Sequence, residues 1–259
     1  MQPGVVPGAV LELHAAKALS GLSPQVNSPL GVAWQDTSGN GNHGTLTGFA
    51  GETPWAGTGT PAGPYRCAFD GVNDYVAFPD LGACEDKNFT YEVLIQTNIM
   101  PASHGALISE GEQATAVNRS FLYISTPTGQ LAYLAYDSAG AALCAMAPSW
   151  VSVCNGTVHH AILAANATTA RLYLDNVLIS GPTAIGAGSI ATNSTVVGAR
   201  RISGVVTAYF PGAILTARIY PFALTPAQVA QNYNAGPLWA PAVSGFPVIG
   251  SPILQGVRV

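Results

Sequence analysis

The chain has 259 residues, of which only 8% are charged, and its formal net charge at pH 7 is −4. Ordinary soluble proteins have about 25% charged residues, so we expect an unusually neutral surface built from Ser, Thr, Asn, Gln, Gly and Ala. The sequence contains no basic run, which argues against a nucleic-acid ligand and an anionic membrane surface. No window approaches the ~20 apolar residues that a membrane span needs.

Residues 1–20 do not resemble a secretory signal peptide, because they lack a basic start and a sustained apolar run. The first ten, MQPGVVPGAV, are apolar and uncharged. This composition is unlike that of a polar, disordered tail, and we interpret residues 1–10 as an N-terminal arm that lies against another surface. The predicted domain follows as residues 11–236.

The stretch from Gly39 to Gly44, GNGNHG, matches the G-x-G-x-x-G pattern of dinucleotide-binding loops. That pattern binds a pyrophosphate when a strand precedes it and a helix begins at its last glycine. The segment that follows is rich in Gly, Pro and Thr, which are poor helix formers. We therefore exclude a nucleotide site and predict a tight loop, since Asn–Gly steps readily adopt positive φ angles.

After residue 65, short runs of β-branched and aromatic residues alternate with turn-forming segments. The predicted strands are YVAFPD, FTYEVLIQT, GALIS, FLYIST, QLAYLAYD, AALCAMA, HHAILAAN, ARLYLD, NVLIS, STVVGA and AILTARIY. The predicted turns include TPTGQ, DSAG, NATTA and GPTAIGAG. Many short antiparallel strands at this spacing predict a single β-sandwich or barrel.

A helix is predicted near the end of the domain, in the segment LTPAQVAQNYNAG. Thr225 is the expected N-cap, Pro226 the first helical residue and Gln228 the second member of a capping box. Gly236 is expected to end the helix.

Residues 237–259 contain four prolines, many apolar side chains and a single charge, Arg258. The prolines argue against a helix, and burying each large apolar side chain would gain roughly 1.5–3 kcal/mol. We expect an extended C-terminal arm that lies across a neighbouring subunit. The two arms and the charge-poor surface together predict a homo-oligomer or an assembled particle.

Five blocks between about residues 33 and 236 carry a family resemblance. They are WQDTSGNGNHGTLTG, CAFDGVNDYVAFPD, FTYEVLIQT, GTVHHAILAANATTARLYLDNVLISG and AYFPGAILTARIYPFALTPAQVAQNY. Together they resemble the laminin-G-like, concanavalin A-like jelly-roll domains, of the kind found in phage virion proteins and bacterial surface proteins. The resemblance implies an all-β jelly-roll sandwich with a short C-terminal helix. Val158 stands where the family has Trp and Asn176 where it has Gly, both at structural positions.

Catalysis is not expected from the acidic residues. Retaining glycosidases on this fold place carboxylates at alternate positions of one strand, and the chain offers one such pair, Glu110 and Glu112. Gly111 and the polar residues that follow predict an exposed loop there. His159 and His160 are adjacent on a predicted strand, so they point to opposite faces and are interpreted as structural rather than as a metal pair.

Calcium is the cofactor that the family resemblance implies most directly, at the rim of the sandwich. Two groups supply the hard oxygen ligands that this ion prefers: Asp36, Asn40 and Asn42, and Asp70, Asn73 and Asp74. The alternative is that these side chains bond their own backbone in Asx-turns. Sugar sites use shallow, exposed aromatic side chains, and Trp55, Trp150 and Trp239 are the candidates, unless they are buried anchors instead.

The four cysteines form no C-x-x-C pair, so a zinc site is not expected. They are Cys67, Cys84, Cys144 and Cys154. Cys144 and Cys154 could pair across a turn under oxidising conditions, but the lack of an export signal favours free thiols.

Three functions from different classes are compatible with the sequence. The leading interpretation is a non-catalytic structural protein located in a phage or virus-like virion, as a capsid decoration or tail-appendage subunit. The alternative is a carbohydrate-binding or adhesion module, extracellular or at a cell surface. A glycoside hydrolase has the least support.

Overall fold

The computed structural model describes residues 4–15, 33–49, 54–60, 62–111, 117, 119–146 and 151–236. These residues form two large antiparallel sheets. Sheet A has the order β14-β13-β12-β7-β18-β5-β4, and β1 also pairs with β18. Its strands are β1 (Leu11–His14), β4 (Trp55–Ala56), β5 (Arg66–Asp70), β7 (Phe89–Gln96), β12 (Val158–Ala165), β13 (Thr169–Leu174), β14 (Val177–Ala184) and β18 (Pro211–Tyr220).

Sheet B has the order β11-β10-β9-β8-β15-β6-β3-β2. Its strands are β2 (Ala33–Trp34), β3 (Gly44–Thr47), β6 (Tyr75–Phe78), β8 (Gly105–Gly111), β9 (Arg119–Ile124), β10 (Leu131–Tyr136), β11 (Ala142–Met146) and β15 (Ser194–Val197). A separate hairpin, β16 (Arg200–Ile202) and β17 (Val205–Thr207), follows β15. The predicted jelly-roll sandwich is confirmed.

The main core fills the space between the two sheets. Alternation along each strand places one set of side chains there: Leu122 and Ile124 of β9 and Ala161 and Leu163 of β12 all belong to this core and are fully buried. The opposite set of each strand faces away from the core. Each sheet therefore also has an outer face, formed by the side chains that point away from the main core.

The helix α1 (Pro226–Ala235) lies on the outer face of sheet A. Thr225 accepts a hydrogen bond from the backbone of Gln228, whose side chain accepts one from the backbone of Thr225. Gly236 follows with a φ of 64°. The capping box and both ends of the predicted helix are confirmed. Val229 is the apolar residue of α1 that is buried against the sheet.

The described part of the N-terminal segment packs on its own domain. Val5 and Val6 are buried, and the backbone N–H of Val6 donates to Asn232 of α1 at 2.8 Å. Gln231 donates to the carbonyl of Gly4 at 3.1 Å. Residues 4–6 thus lie against the helix rather than away from the domain. The predicted C-terminal arm, residues 237–259, lies outside the described residues.

Two local predictions differ from the structure. The segment GPTAIGAG was predicted to be a turn, yet β14 continues through Gly181 and Pro182 to Ala184. A proline is tolerated there because β14 is an edge strand of sheet A, where one side needs no backbone donor. Strands β1 to β4 were not predicted, because they have two to four residues each and three of them lie among Gly- and Pro-rich segments.

All four cysteines are free thiols, and Cys154 is the one that is partly exposed. Burial raises the pKa of all four, and raises that of Cys144 to about 11. Within the described ranges, no helix has the length and apolar character required to cross a membrane.

Candidate functional site

The outer face of sheet B carries the candidate site. Along β9, Arg119, Phe121 and Tyr123 alternate with core residues and so project from this face. The facing residues of β10 are Tyr136, Leu134 and Ala132, paired with them in that order. An arginine, three aromatic rings and two smaller apolar side chains therefore lie side by side on two neighbouring strands.

Two arginines lie over aromatic rings on this face. The guanidinium carbon of Arg119 is 4.1 Å from the centre of the Tyr136 ring, and that of Arg200 is 4.8 Å from the centre of the Phe121 ring. Such cation–π contacts hold a guanidinium group in place while its edge stays available for hydrogen bonds. Phe121 is only 1% exposed, so it supports Arg200 from below rather than forming a surface platform.

The β16–β17 hairpin brings Arg200 to the face. Ala106 of β8 donates its backbone N–H to Ala208 at 2.8 Å, and Ala208 packs with Phe121 and Tyr123 in a small apolar cluster. The ring of His104 packs against that of Tyr123, with ring centres 4.8 Å apart. The site therefore combines residues from β9, β10, the segment before β8 and the hairpin.

Polar atoms without partners are concentrated in the same region. Six side-chain nitrogen or oxygen atoms of the described residues are buried and make no hydrogen bond, and five of them belong to residues of this face or of the β16–β17 hairpin: Nδ1 of His104, Nε of Arg119, Arg200 and Arg201, and Oγ1 of Thr207. The sixth is the indole nitrogen of Trp34. Buried polar groups are normally paired, so a cluster of unpaired ones indicates a place where a ligand or water supplies the partner.

The face is also positively charged. Arg119 and Arg200 are two of the nine Lys and Arg residues in the chain, and neither of them belongs to an ion pair within the described part of the chain. Burial, and then the neighbouring charge of Arg119, lowers the pKa of Arg200. The two guanidinium groups are thus close enough to repel each other.

A buried ionic network occupies the outer face of sheet A. Oε1 of Glu92 lies 2.7 Å from Nη1 of Arg218 and 2.8 Å from Nε2 of His160, and Oε2 accepts from Asn232 at 2.8 Å. Glu12 contacts Arg218 in turn. Burial alone would raise the pKa of Glu92, but the charge of Arg218 and the bond from His160 outweigh it and hold that pKa at about 2. The network joins β1, β7, β12, β18 and α1, which indicates a structural role.

The two adjacent histidines have separate partners, as expected for neighbours on a strand. Nδ1 of His159 lies 2.7 Å from Asp175, whereas His160 binds Glu92 and stacks on Tyr233. A groove of about 820 Å³ lies beside them, lined by residues that include Gln96, Thr157, His160, Asn232 and Tyr233. It reaches Gly236, where the described chain ends.

The expectation of an exposed loop at Glu110 was wrong. Glu110 lies in β8 and is fully buried. Its Oε1 accepts from the backbone of Ala83 and from Thr195, and its Oε2 accepts from the backbone of Cys84 and from the hydroxyl of Tyr91. Burial raises its pKa. The strand continues because these donors satisfy the carboxylate inside the core; Glu112 lies outside the described residues.

The first group of calcium candidates ties the GNGNHG loop to the N-terminal segment. Oδ1 of Asp36 accepts from the backbone of Glu12 and Ser38, and Oδ2 accepts from the hydroxyl of Ser38 and the backbone of Asn42. Asn40 and Asn42 donate their amide groups to the carbonyl of Val10. The predicted loop at GNGNHG is confirmed between β2 and β3, and its last residue, Gly44, begins β3.

The second group forms the turn between β5 and β6. Asp70 accepts from the backbone of Val72 and Asn73, and Asp74 accepts from the backbone of Asp70. Both groups make the Asx-type bonds of the alternative interpretation. Within the described residues, no three His, Cys, Asp or Glu side chains are placed to hold a metal ion. Calcium binding, in which asparagine and backbone oxygens would also take part, stays a prediction.

The tryptophans expected at a sugar site lie elsewhere. Trp55 packs edge-on against Trp34, with ring centres 5.2 Å apart, and contacts the main core. Trp150 and Trp239 lie outside the described residues. Sequence reasoning missed the arginine–aromatic face, although the alternation of Arg119, Phe121 and Tyr123 in RSFLYI was a visible signal.

The sequence of the chain matches a known protein family. A family model described as the concanavalin A-like lectin/glucanases superfamily matches residues 70–230, more than half of the chain. The chain belongs to this superfamily. Strands β1 to β4 and all of β5 except Asp70 lie before the matched region. None of the curated proteins compared with this superfamily member matches it.

Solved structures with TM-scores above 0.5 show the same fold at low sequence identity. Domain 4 of AbnA, an extracellular arabinanase from Geobacillus stearothermophilus in complex with arabinotriose, is 17% identical with a TM-score of 0.58, covering 87% of this lectin-like chain and 98% of that domain. Trypanosoma rangeli sialidase is 14% identical with a TM-score of 0.56, covering 87% of this chain but 32% of the sialidase. The CBM40 of Ruminococcus gnavus IT-sialidase, bound to α2,3-sialyllactose, is 17% identical with a TM-score of 0.46, covering 56% of this chain and 81% of the CBM40.

Proposed function

We propose that the chain is a non-catalytic carbohydrate-binding domain whose ligand site is the outer face of sheet B. The observation that carries the proposal is the group of unpaired buried polar atoms on that face, next to aromatic rings. Sugar hydroxyls accept and donate hydrogen bonds, and the apolar faces of sugar rings pack on aromatic side chains, so this combination suits them. The complex of domain 4 of the arabinanase with arabinotriose supports sugar binding as a use of this fold.

The absence of catalysis is part of the proposal. Glu110 is enclosed in the core with four hydrogen-bond donors around its carboxylate. A glycosidase needs its two carboxyl groups on either side of the scissile bond, and an enclosed carboxylate is not available to one.

The proposal is tested by screening the protein against an array of neutral and acidic oligosaccharides. Binding is expected, and Tyr136→Ala should weaken it because this ring supports Arg119. The control is Tyr233→Ala, since Tyr233 is 40% exposed and belongs to α1 on the other sheet. If Tyr233→Ala abolishes binding and Tyr136→Ala does not, the groove beside α1 is the site. If no glycan binds, the proposed function is wrong.

An assembly role is a second candidate, as a capsid decoration or tail-appendage subunit located in a virion. It is favoured by the apolar composition of residues 237–259 and by exposed apolar side chains on β14, where Val177 is 62% and Leu178 is 45% exposed. Deletion of residues 237–259 should convert an oligomer to monomers in analytical ultracentrifugation while the circular dichroism spectrum stays that of a β protein. A full-length protein that is already monomeric would contradict this role.

A further inference from the structure

We infer that the ligand of the outer face of sheet B is an anionic glycan, a sugar chain that carries carboxylate or sulfate groups. This inference rests on the proposed carbohydrate-binding function and specifies its substrate class. Two independent features of the face support it: an excess of positive charge that the described residues do not neutralise, and guanidinium groups held with their hydrogen-bonding edges free.

Cationic residues are few in this chain, which has a net charge of −4 and nine Lys and Arg residues. Two of them, Arg119 and Arg200, nevertheless lie together on the outer face of sheet B. Arg119 and Arg200 repel each other, and no described carboxylate pairs with either. Keeping like charges together without a counter-ion is unfavourable, and a bound anion would relieve the repulsion at both residues.

The arrangement of the donors favours an anion over a neutral hydroxyl group. A guanidinium group presents its N–H donors in a planar fork that fits a carboxylate or sulfate with two parallel hydrogen bonds. The guanidinium groups of Arg119 and Arg200 lie over the faces of the Tyr136 and Phe121 rings. Neither arginine side chain therefore loses much conformational freedom when a ligand binds. Their Nε atoms are buried and unpaired.

The neighbouring groups suit the uncharged part of a sugar. Burial, and then the charge of Arg200, lowers the pKa of His104, which favours its neutral ring. Its Nδ1 atom and the hydroxyl of Thr207 are buried and unpaired, so they lack the hydrogen-bond partners that buried polar groups normally have. Ala142 of β11 is exposed and pairs with Tyr136, so a small side chain lies beside the ring that supports Arg119.

The experiment compares three matched ligands by isothermal titration calorimetry with the full chain. They are an oligogalacturonate, its methyl ester, which has the same sugars without the charge, and a sulfated galactan oligosaccharide. At least one anionic ligand should bind ten times or more tightly than the methyl ester, and its affinity should fall as salt increases. Comparing the affinities of the oligogalacturonate and the sulfated oligosaccharide shows whether carboxylate or sulfate groups are recognised.

Variants locate the site and test the fork geometry. Arg119→Ala and Arg200→Ala should each weaken anionic binding about tenfold or more, and the lysine substitutions should recover only part of it, because lysine keeps the charge but not the fork. Arg171→Ala is the matched control, since Arg171 lies on β13 of sheet A. Unchanged melting temperatures will show that the variants are folded.

The possible failures can be told apart. If the methyl ester binds as tightly as the oligogalacturonate and the sulfated ligand, the inference is wrong while the proposed function stands. If anionic binding survives in the double variant Arg119→Ala/Arg200→Ala, the charge is recognised elsewhere and the inference is also wrong. If no ligand in this set or on the glycan array binds, the proposed function fails with it.

Discussion

Arg218 of β18 donates to Glu92 of β7 at 2.7 Å, and the two side chains are 1% and 0% exposed. The pair lies between the outer face of sheet A and the elements that cover it, since Glu92 also binds Asn232 of α1 and Arg218 contacts Glu12 of β1. These contacts fasten the first strand and the helix to the same two central strands.

The first prediction concerns this pair. Arg218→Met should lower the free energy of unfolding by about 3–5 kcal/mol, because it leaves the buried charge of Glu92 without its main partner. The double variant Arg218→Met/Glu92→Leu should be less destabilised than Arg218→Met, since it removes both charges. Urea unfolding measures both; a double variant that loses more than the single one would contradict the argument.

The second prediction concerns the stability of the fold at acidic pH. Hydrogen bonds and charges from His14 and Arg218 hold the pKa of Glu12 at about 2 despite its burial, and Glu92 is lowered to the same value, from an ordinary 4.5. A lowered folded-state pKa stabilises the fold above pH 4.5, and that contribution is lost as the pH falls from 4.5 towards 2. The melting temperature should decrease over this window.

Glu110 acts in the opposite direction, because burial raises its pKa. The contribution of Glu110 to the stability of the fold is present below the ordinary value of 4.5 and decreases as the pH rises through the raised pKa.

The variant Glu92→Gln tests the prediction for acidic pH. It removes one of the two groups with a lowered pKa, so the decrease of the melting temperature in acid should become shallower. An unchanged pH profile would contradict the assignment.

The third prediction concerns the helix cap. Thr225→Ala removes the hydroxyl that accepts from Gln228 and should lower the free energy of unfolding by about 1 kcal/mol. Thr225→Ser keeps a hydroxyl at the same place and should be close to the native protein. Equal stabilities of the alanine and native proteins in urea would show that the capping box contributes nothing measurable.

The fourth prediction concerns Asp36. Its carboxylate accepts four hydrogen bonds, and bonds to a charged group contribute about 1.5–3 kcal/mol each. Asp36→Ala should therefore lower the melting temperature markedly without any added ion. If calcium also binds, millimolar calcium will raise the melting temperature of the native protein and not that of Asp36→Ala. The same temperature in calcium and in EDTA would remove the calcium prediction.

The fifth prediction concerns Glu110. We expect no release of reducing ends from any oligosaccharide that the protein binds. Glu110→Gln should instead destabilise the fold by about 1–3 kcal/mol, because both carboxylate oxygens accept from backbone N–H groups and an amide nitrogen would face one of those donors. Hydrolysis that disappears in Glu110→Gln would overturn the non-catalytic interpretation.

The sequence by itself determined the sandwich, most of its strands from β5 onwards and the helix α1. These features depend on local properties. Strand residues alternate with a period of two, turn residues tolerate positive φ angles, and Thr225 and Gln228 are close enough in the chain to form a cap without help from the rest of the fold.

The tertiary structure decided which residues from distant parts of the chain come into contact, and no local sequence pattern contains that information. Glu110 reads as part of a polar loop in the sequence, and it is buried because Ala83, Tyr91 and Thr195 come from other parts of the chain to satisfy it. Arg119 and Arg200 are distant in sequence and meet because the β16–β17 hairpin docks beside β8. Charge repulsion and unpaired donors depend on distances in space, which the order of residues along the chain does not specify.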